Sequence, residues 1–305
     1  MTEKPNPTKD GISKERRSQP VFGDVIENGK AHFGTFDKEF EKLSLLECEY
    51  PPYSKKAFRR FHLTLWEAVE IHLKDAYYVS AVSDMGLFGI AFNLLFDKKE
   101  NKEYHWFELL HSRSNPERTQ VRLSENLLGG KKTFAKSKES SLVFTNTFDE
   151  GKARIQAYQN DKRLGSLSAD FELSALSLPS VVSILFGENQ PLYTEKQFFK
   201  ASGKLTALGR TYESDSDSTA VIDDHRGYYP KSMHYDWLAF LGKDSLGKWF
   251  AFNLTQNQSI DPYRYNENLI WREKRTSLLP PVTFTKDQLT KDFVSAEKTP
   301  TTWLV

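Results

Sequence analysis

The clearest fold signal in the sequence is the stretch LGSLSADFEL, residues 164–173, which alternates apolar and polar residues. Successive side chains of a β-strand point to opposite faces, so the apolar residues of this stretch share one face. They are Leu167, Ala169, Phe171 and Leu173. Polar residues occupy the other face, and the pattern predicts an antiparallel strand with one face buried.

Turn signals separate this stretch from similar segments on both sides. Asn28-Gly29 supplies the two positive-φ positions of a type I′ hairpin turn. Residues 98–102 form a charged segment that suits a hairpin tip, and residues 149–151 separate two further strand-like segments. Short strands joined by such turns are typical of barrels and sandwiches.

A second alternating stretch and the composition support the same fold class. Residues 66–73 put Val69, Ile71 and Leu73 on one face of a strand. Aromatic residues make up 13% of the chain, and rings suit the pleated, half-buried surface of a sheet. We therefore predict an all-β, mainly antiparallel protein of barrel or sandwich type with few short helices.

The charge and the terminal composition restrict the partners and the compartment. Lys and Arg total 42 and Asp and Glu total 41, so no broad field recruits nucleic acid or an anionic membrane. Cys48 is the single cysteine, and a buried inert thiol is favoured over a catalytic one. Polar residues up to Arg17 and the lack of a long apolar run predict a cytoplasmic protein without a membrane span.

A short internal repeat indicates how the chain is organised. The tetrapeptide AFNL at residues 91–94 recurs at residues 251–254, each time in an apolar strand. The repeat predicts two related β-rich halves, although two unrelated hairpins of similar type explain it as well. Residues 1–19 are polar and are predicted to be a disordered tail, followed by β-domains over residues 20–185 and 186–305.

The densest group of polar residues is the stretch DDHRGYYP, residues 223–230. Asp223, Asp224 and His225 are candidate catalytic residues because such groups in different environments can divide acid and base roles. On an extended strand, Asp223 and His225 share one side and Asp224 lies on the other. The structural alternative is that Asp224 pairs with Arg226 or with a backbone turn at Gly227 and that His225 satisfies a neighbour.

Residues that can shape and orient a ligand surround this stretch. The candidate ligand-binding residues are Arg226, Tyr228, Tyr229, Tyr235, Trp237, Asn253 and Asn266. Tyrosine hydroxyls and asparagine amides form hydrogen bonds at a pocket, and an indole ring offers a flat apolar surface. Structural roles compete: Trp237 as a core residue, Asn253 as the cap of a bulge, and Asn266 as part of a hairpin loop.

The sequence carries no recognisable metal or cofactor motif. His225 and His234 lie near acids, but no His-x-x-x-His or paired-cysteine spacing occurs. The G-x-G-x-x-G, P-loop and G-x-S-x-G patterns are also missing from the sequence, which leaves nucleotide binding and a serine hydrolase of the elbow type without support. No metal and no cofactor are predicted.

Several of these motifs together resemble a bacterial family of domains of unknown function. The resemblance rests on residues 223–230, 235–237, 253–254 and 266–268. It extends from about Gly29 to the C-terminus and is strongest from Tyr193 to Phe284. That family is similar in turn to two-lipocalin proteins, which include hydroxyneurosporene synthase, a carotenoid hydratase, and AttH-like proteins. The resemblance implies two lipocalin-like barrels, over residues 20–185 and 186–305, with a hydrophobic ligand cavity.

The sequence leaves three functions open. The first is a cavity protein that binds an apolar small molecule, such as an isoprenoid or a lipid, and as an enzyme hydrates, cyclises or isomerises it. The second is a carrier of an apolar ligand without catalysis. The third is a structural or interaction module with a filled barrel. Neither the choice between enzyme and carrier nor the oligomeric state follows from the sequence.

Overall fold

The computed structural model of the protein describes residues 16–49, 55–272, 275–291 and 298–304. Strands dominate these residues and pair mainly in antiparallel fashion, which confirms the predicted fold class. In this part of the chain, no helix combines the length and the apolar character that crossing a membrane requires.

The described residues contain 23 strands, one α-helix and two 3₁₀ turns. The strands are β1 (Ser18–Gln19), β2 (Ile26–Glu27), β3 (Lys30–Ala31), β4 (Gly34–Phe36), β5 (Thr64–His72), β6 (Ala76–Asp84), β7 (Gly89–Asp97), β8 (Lys102–Leu110), β9 (Val121–Arg122), β10 (Lys131–Lys136), β11 (Ser140–Thr147), β12 (Lys152–Asp161), β13 (Gly165–Ala175), β14 (Ser180–Leu185), β15 (Pro191–Ala207), β16 (Arg210–Glu213), β17 (Thr219–Gly227), β18 (Asp236–Lys243), β19 (Trp249–Gln256), β20 (Leu269–Arg272), β21 (Arg275–Leu278), β22 (Thr285–Lys291) and β23 (Lys298–Leu304). The helix is α1 (Lys56–His62), and the 3₁₀ turns are Leu45–Glu47 and Phe148–Glu150.

Fifteen strands form one large sheet that curls into a nearly closed barrel. Its main path runs β8-β7-β6-β5-β17-β15-β13-β12-β11-β10-β9. Hydrogen bonds across the interior connect strands that lie six positions apart on this path: Asn93 of β7 donates to Gln159 of β12 at 2.7 Å, and Thr133 of β10 donates to Glu67 of β5. Strands from the two halves of the path therefore face each other across the core.

Side chains fill the inside of the barrel. Tyr78, Trp106, Phe144 and Phe171 lie in this core without solvent exposure. The apolar face predicted in residues 164–173 contributes to the same core, which confirms the alternation. Large rings in close contact stabilise the barrel mainly through the apolar area that they remove from water.

The hairpins expected from turn residues are present. Asn28 and Gly29 join β2 to β3 with φ angles of 49° and 77°, in the left-handed region that a type I′ turn requires. The charged tip after residue 97 joins β7 to β8, and Gly151, with a φ of 65°, precedes β12. Local turn chemistry thus sets the register of these strand pairs.

A second, smaller sheet packs against the outside of the barrel. Its strand order is β18-β19-β20-β21. The contact is apolar: Phe198 of β15 and Val221 of β17 pack against Ala251, Leu269 and Trp271 of the small sheet. The described strands β22 and β23 form a separate hairpin.

Strand pairing divides the chain at a different place from the predicted boundary between residues 185 and 186. The strands on the two sides of that boundary, β14 and β15, pair with each other. β15 and β17 then occupy central positions in the barrel sheet, and the small sheet begins only at Asp236. Residues 191–227 thus complete the first sheet, because β15 pairs with β13 and β17 pairs with β5.

The repeated tetrapeptide occupies equivalent places in two hairpins. It lies in β7, which pairs with β6 in the barrel, and in β19, which pairs with β18 in the small sheet. Internal duplication stays a prediction, since any two antiparallel hairpins share this arrangement.

The first described residues are ordered, in contrast to the tail predicted over residues 1–19. Residues 1–15 lie outside the described residues, but β1 pairs in parallel with β4. The buried guanidinium of Arg16 donates to Thr35 Oγ1 at 2.9 Å and to Asn266 Oδ1 at 2.7 Å. These buried bonds connect the barrel side of the chain to the loop before β20.

Candidate functional site

The candidate residues of β17 divide between the two faces of the barrel wall. β17 lies between β5 and β15. Asp223 and His225 point outward to the small sheet, on the same face as Val221, whereas Asp224 and Arg226 point inward. Strand alternation predicts this opposition, and the structure shows it.

The outward pair belongs to a buried group of charged residues, named here the junction cluster: Asp223, His225, Lys196 and Glu267. Lys196 Nζ lies 3.0 Å from Asp223 Oδ1 and 2.6 Å from Glu267 Oε2. His225 Nε2 lies 2.9 Å from the same oxygen of Asp223. None of the four residues is more than 3% exposed. Glu267 comes from the loop before β20, so the cluster joins the barrel to the small sheet.

The charges of the junction cluster stabilise one another. Burial disfavours the ammonium of Lys196, but Asp223 and Glu267 outweigh it and raise the pKa of Lys196 above its ordinary value. Burial likewise disfavours the carboxylate of Asp223, but His225 and Lys196 outweigh it and lower the pKa of Asp223 to about 2. Both groups are therefore charged at neutral pH.

Two tyrosine hydroxyls lie at the edge of this cluster. Tyr229 Oη lies 3.2 Å from His225 Nδ1, and Tyr235 Oη donates to Glu267 Oε1 at 3.0 Å. Burial raises the pKa of both tyrosines well above the ordinary value, assisted by Asp223 at Tyr229 and by Glu267 at Tyr235. Each hydroxyl keeps its proton at neutral pH, and each contacts a group that can accept or return one.

Two tryptophans flank the cluster. Trp66 of β5 meets the His225 ring edge-on at a centroid distance of 5.3 Å. Among the described residues, the buried Trp66 Nε1 has no hydrogen-bond partner, which leaves a donor free beside His225. Lys196 Nζ lies 5.5 Å from the ring centre of Trp237, whose Nε1 donates to Asn253 Oδ1 at 2.7 Å. Asn253 thus fixes the orientation of the Trp237 ring.

A cleft of about 250 Å³ leads toward the cluster between β5, β17 and β18. Its lining is Glu70, His72, Tyr77, Thr219, Ala220, Val221, Ala239, Phe240 and Leu241. Val221 and Asp223 are two positions apart on β17, and Ala239 and Trp237 are two positions apart on β18. The residues of each pair share a face of their strand and are separated by about 7 Å. The cleft therefore lies beside the junction cluster, whose four residues are buried next to its lining.

The cleft also contains a carboxyl group that titrates near neutrality. Glu70 Oε2 accepts a hydrogen bond from Tyr77 Oη at 2.7 Å. Burial raises the pKa of Glu70 to about 7, the Tyr77 bond opposes the shift, and Asp223 adds to it. Glu70 is thus present in both protonation states at neutral pH.

The inward face of β17 carries a second polar network inside the barrel. Arg226 holds Asp224 with two bonds, from Nε to Oδ2 at 2.7 Å and from Nη2 to Oδ1 at 3.1 Å. Glu67 of β5 and Glu195 of β15 are the direct cross-strand neighbours of Asp224. Three buried carboxyl groups therefore lie in a row across three strands, and Glu39 approaches them from the loop after β4.

Burial raises the pKa of the three inward glutamates and favours their protonated forms. Burial, assisted by Asp224, raises the pKa of Glu67 to about 8. Burial, assisted by Glu39, raises the pKa of Glu195 well above its usual range, and burial raises the pKa of Glu39 to about 7. Arg226 neutralises the carboxylate of Asp224, and glutamates in their protonated form need no further cation.

Replacing Glu67 with glutamine should flatten the dependence of stability on pH. The folded-state pKa of about 8 lies above the unfolded value of about 4.3, so the stabilising effect is complete below about pH 4.3 and is lost as pH rises to about 8. Over this window the variant should gain about 1.4 kcal/mol in unfolding free energy per pH unit relative to the wild type. Urea unfolding at several pH values measures the difference.

The exposed Glu172→Gln variant is the control for this experiment. It should give a pH profile parallel to that of the wild type, because its side chain lies in solvent. A parallel profile for Glu67→Gln as well would show that Glu67 is ionised in the folded protein at neutral pH.

Three of the predicted ligand-binding residues lie outside the junction cluster. Tyr228 packs in a separate core near the 3₁₀ turn at 45–47, and its hydroxyl donates to the Leu45 carbonyl at 3.1 Å. Asn266 accepts from Arg16, and its amide donates to the Pro262 carbonyl at 2.7 Å. Arg226 faces the barrel interior. Of the predicted set, Asp223, His225, Tyr229, Tyr235, Trp237 and Asn253 lie at or beside the cluster.

Sequence reasoning missed several charged residues of both networks. Lys196 and Glu70 lie in otherwise ordinary strands, and only the register of β5, β17 and β15 brings them together. Glu267 lies in the motif at 266–268 but is not among the predicted site residues. Glu67 had a detectable signal, because it shares its strand face with Val69 and Ile71, which were predicted to be buried.

No metal site is present among the residues that the structure describes: no three His, Cys, Asp or Glu side chains there are arranged to hold an ion. Cys48 is buried, and its thiol lies 3.3 Å from the Asn189 carbonyl. Burial raises the pKa of Cys48 to about 11, so the reactive thiolate form is disfavoured.

Comparison with known proteins places the chain in a family. The model of a domain of unknown function, DUF2804, matches residues 23–295, so the chain belongs to this family. A comparison with curated proteins finds no match. Among solved structures, kievitone hydratase from Nectria haematococca is similar, with 16% sequence identity, coverage of 79% of this chain and 71% of that chain, and a TM-score of 0.49. A likeness at this level carries no information on ligand or reaction, and the relation to two-lipocalin proteins stays a prediction.

Proposed function

We propose that this member of the DUF2804 family binds an apolar small molecule, such as an isoprenoid or a lipid, and catalyses its hydration, cyclisation or isomerisation. The observation that carries the proposal is the junction cluster, a buried acid–base group beside a cleft between two sheets. Perturbed titratable residues that converge in a cleft are typical of catalytic sites.

The lining of the cleft supports an apolar ligand. Val221, Ala239 and Leu241 form its apolar walls. Polar groups are concentrated on the β5 and β6 side, where Glu70 pairs across the strands with Val221 and accepts a hydrogen bond from Tyr77. An elongated molecule with one functional group fits this distribution, because apolar walls bind its body and the polar end orients its reacting part.

The tyrosines supply the proton transfers that all three reactions share. Each reaction adds a proton to one carbon and removes a proton from a carbon or from water. Tyr229 is linked to His225, and Tyr235 is linked to Glu267, so one hydroxyl can give a proton while the other accepts one. Asp223 Oδ1 and Lys196 Nζ both lie 2.9 Å from His225 Nε2 and hold the ring in place.

The proposal takes Asp223 and His225 from the predicted catalytic set as the acid–base pair. Asp224 lies on the opposite face of β17, in the bidentate pair with Arg226. A direct reaction at Asp224 would require a ligand inside the barrel, where side chains fill the core. We therefore assign Asp224 and Arg226 to stability rather than to chemistry.

A carrier without catalysis is the second candidate function. It is supported by the pairing of Asp223 with both His225 and Lys196, which uses the charges of the cluster within the protein. A carrier and an enzyme both need the cleft, and they differ in whether the bound molecule is changed.

Filling the cleft should remove a bound ligand. In Ala239→Phe a large ring occupies space in the cleft that a ligand would fill, so ligand occupancy should fall about tenfold or more. Native mass spectrometry of protein purified from its own host measures the occupancy. Leu238→Phe is the matched control, because the adjacent side chain is exposed on the other face of β18. A wild type without any bound small molecule, or equal occupancy in Ala239→Phe, would contradict the proposal.

A further inference from the structure

We infer that the edge of the barrel formed by α1, the turn between β6 and β7, and β8 is a docking surface for an anionic lipid membrane. This edge exposes six large apolar side chains, named here the docking face. They are Phe58 at 54%, Phe61 at 39%, Leu87 at 66%, Phe88 at 42%, Phe107 at 56% and Leu109 at 63% exposure. Single exposed apolar residues are ordinary, but a group of this size marks an interaction site.

The three segments of the docking face are in contact with one another. Arg113, just after β8, donates to the Arg60 carbonyl of α1 at 2.9 Å. Ser114 donates to the Leu87 carbonyl in the turn at 3.2 Å. Gly86 in this turn approaches α1 so closely that an added Cβ would lie 2.6 Å from the Phe61 carbonyl oxygen. The apolar side chains therefore belong to one continuous edge of the molecule.

The charge of this edge favours an anionic partner. Residues 55–62 contain four basic residues and no acidic residue. With residues 85–88 and 107–118 included, and with Glu47 and Asp84, which pair with Lys56 and Arg113, the edge has six basic and four acidic residues, although the whole chain carries a formal charge of only +1. Exposed rings among lysine and arginine side chains are typical of proteins that bind the surface of an anionic bilayer.

A second copy of the chain fits this edge less well than a membrane. In a two-fold symmetric dimer the same patch lies on both sides of the interface, so the basic residues of 55–62 would face each other. Like charges at such short range oppose association. A bilayer with anionic headgroups pairs with these charges and accepts the rings among its acyl chains. This inference goes beyond the proposed function and does not depend on it.

The test is flotation of the full chain with vesicles of about three parts phosphatidylcholine to one part phosphatidylserine. We expect binding to these vesicles, weaker binding to phosphatidylcholine alone, and a loss of the difference when salt rises from about 0.1 M to about 1 M. The double variant Phe58→Ser and Phe61→Ser should lower the partition coefficient about tenfold or more. Both rings are exposed, so the variant should keep the wild-type thermal unfolding midpoint.

The control replaces two exposed leucines elsewhere, Leu178 and Leu246, with serine. It should bind vesicles like the wild type. The inference is overturned if the two double variants bind equally, or if binding does not depend on phosphatidylserine. It is also overturned if the wild type does not bind vesicles but self-associates, and the phenylalanine double variant does not self-associate. The docking face would then be a dimer interface.

Discussion

Arg226→Met should lower the unfolding free energy by about 3–5 kcal/mol, because it removes the partner of a buried carboxylate. The guanidinium holds Asp224 by two hydrogen bonds and faces Glu67 and Glu195 in the same row. Methionine keeps much of the length of the side chain, so the loss reports on charge more than on packing. Urea unfolding at neutral pH measures the change.

An exposed pair provides the comparison. Arg154→Met breaks the ion pair with Asp170 on the barrel surface, where water screens both charges, and it should cause a much smaller loss. In the Arg226→Met background, Asp224→Asn should restore part of the stability, since no unpaired charge then remains. Equal losses for Arg226→Met and Arg154→Met would show that the inward network does not stabilise the fold.

The second large effect concerns activity. His225→Gln should lower turnover about a hundredfold to ten-thousandfold, because the amide can keep a hydrogen bond to Asp223 but cannot take up a proton. The loss of stability should be smaller than for Arg226→Met, because Lys196 still neutralises Asp223. The rate of deuterium transfer from heavy water to compounds of an apolar host-cell extract measures turnover.

His111→Gln is the control for this variant, since His111 is exposed and lies far along the barrel edge from β17. It should retain the wild-type rate. If His225→Gln also retained that rate, while the wild type is active, the acid–base role of the junction cluster would be wrong and the site would have to be sought elsewhere.

Strand alternation and turn residues account for the part of the fold that was predictable. The alternation at residues 164–173 and the turn at Asn28-Gly29 depend on neighbours in sequence, and the structure confirms both. The same rule placed Asp223 and His225 on one side of their strand and Asp224 on the other. The predicted pairing of Asp224 with Arg226, offered as the structural alternative, is also present.

The arrangement of the sheets was not predictable in the same way. β17 pairs with β5, about 150 residues earlier in the chain, and no spacing or composition signals that partner. For this reason the predicted domain boundary lies between residues 185 and 186, although the strands on both sides of it belong to one sheet in the structure. The repeated tetrapeptide reinforced the division, because it recurs in hairpins of two different sheets.

Long-range pairing also explains why the sequence analysis did not select two members of the junction cluster. Lys196 and Glu267 look like ordinary surface residues in sequence, but the pairing of β15 with β17 and the packing of the small sheet bury both. A buried lysine is stable only where carboxylates surround it, and those carboxylates come from β17 and from the loop before β20. The chemistry of the cluster therefore depends on tertiary contacts that local patterns do not reveal.

The most direct test of the central claim is deuterium transfer by the wild-type protein itself. Purified protein is incubated in heavy water with an apolar extract of its host, and the extract is compared by mass spectrometry with a protein-free sample. Hydration, cyclisation and isomerisation all add a proton from the site to carbon, so we predict that at least one apolar compound gains deuterium. An extract without any gain over the protein-free sample, although native mass spectrometry shows a bound apolar molecule, would contradict catalysis and establish the carrier function instead.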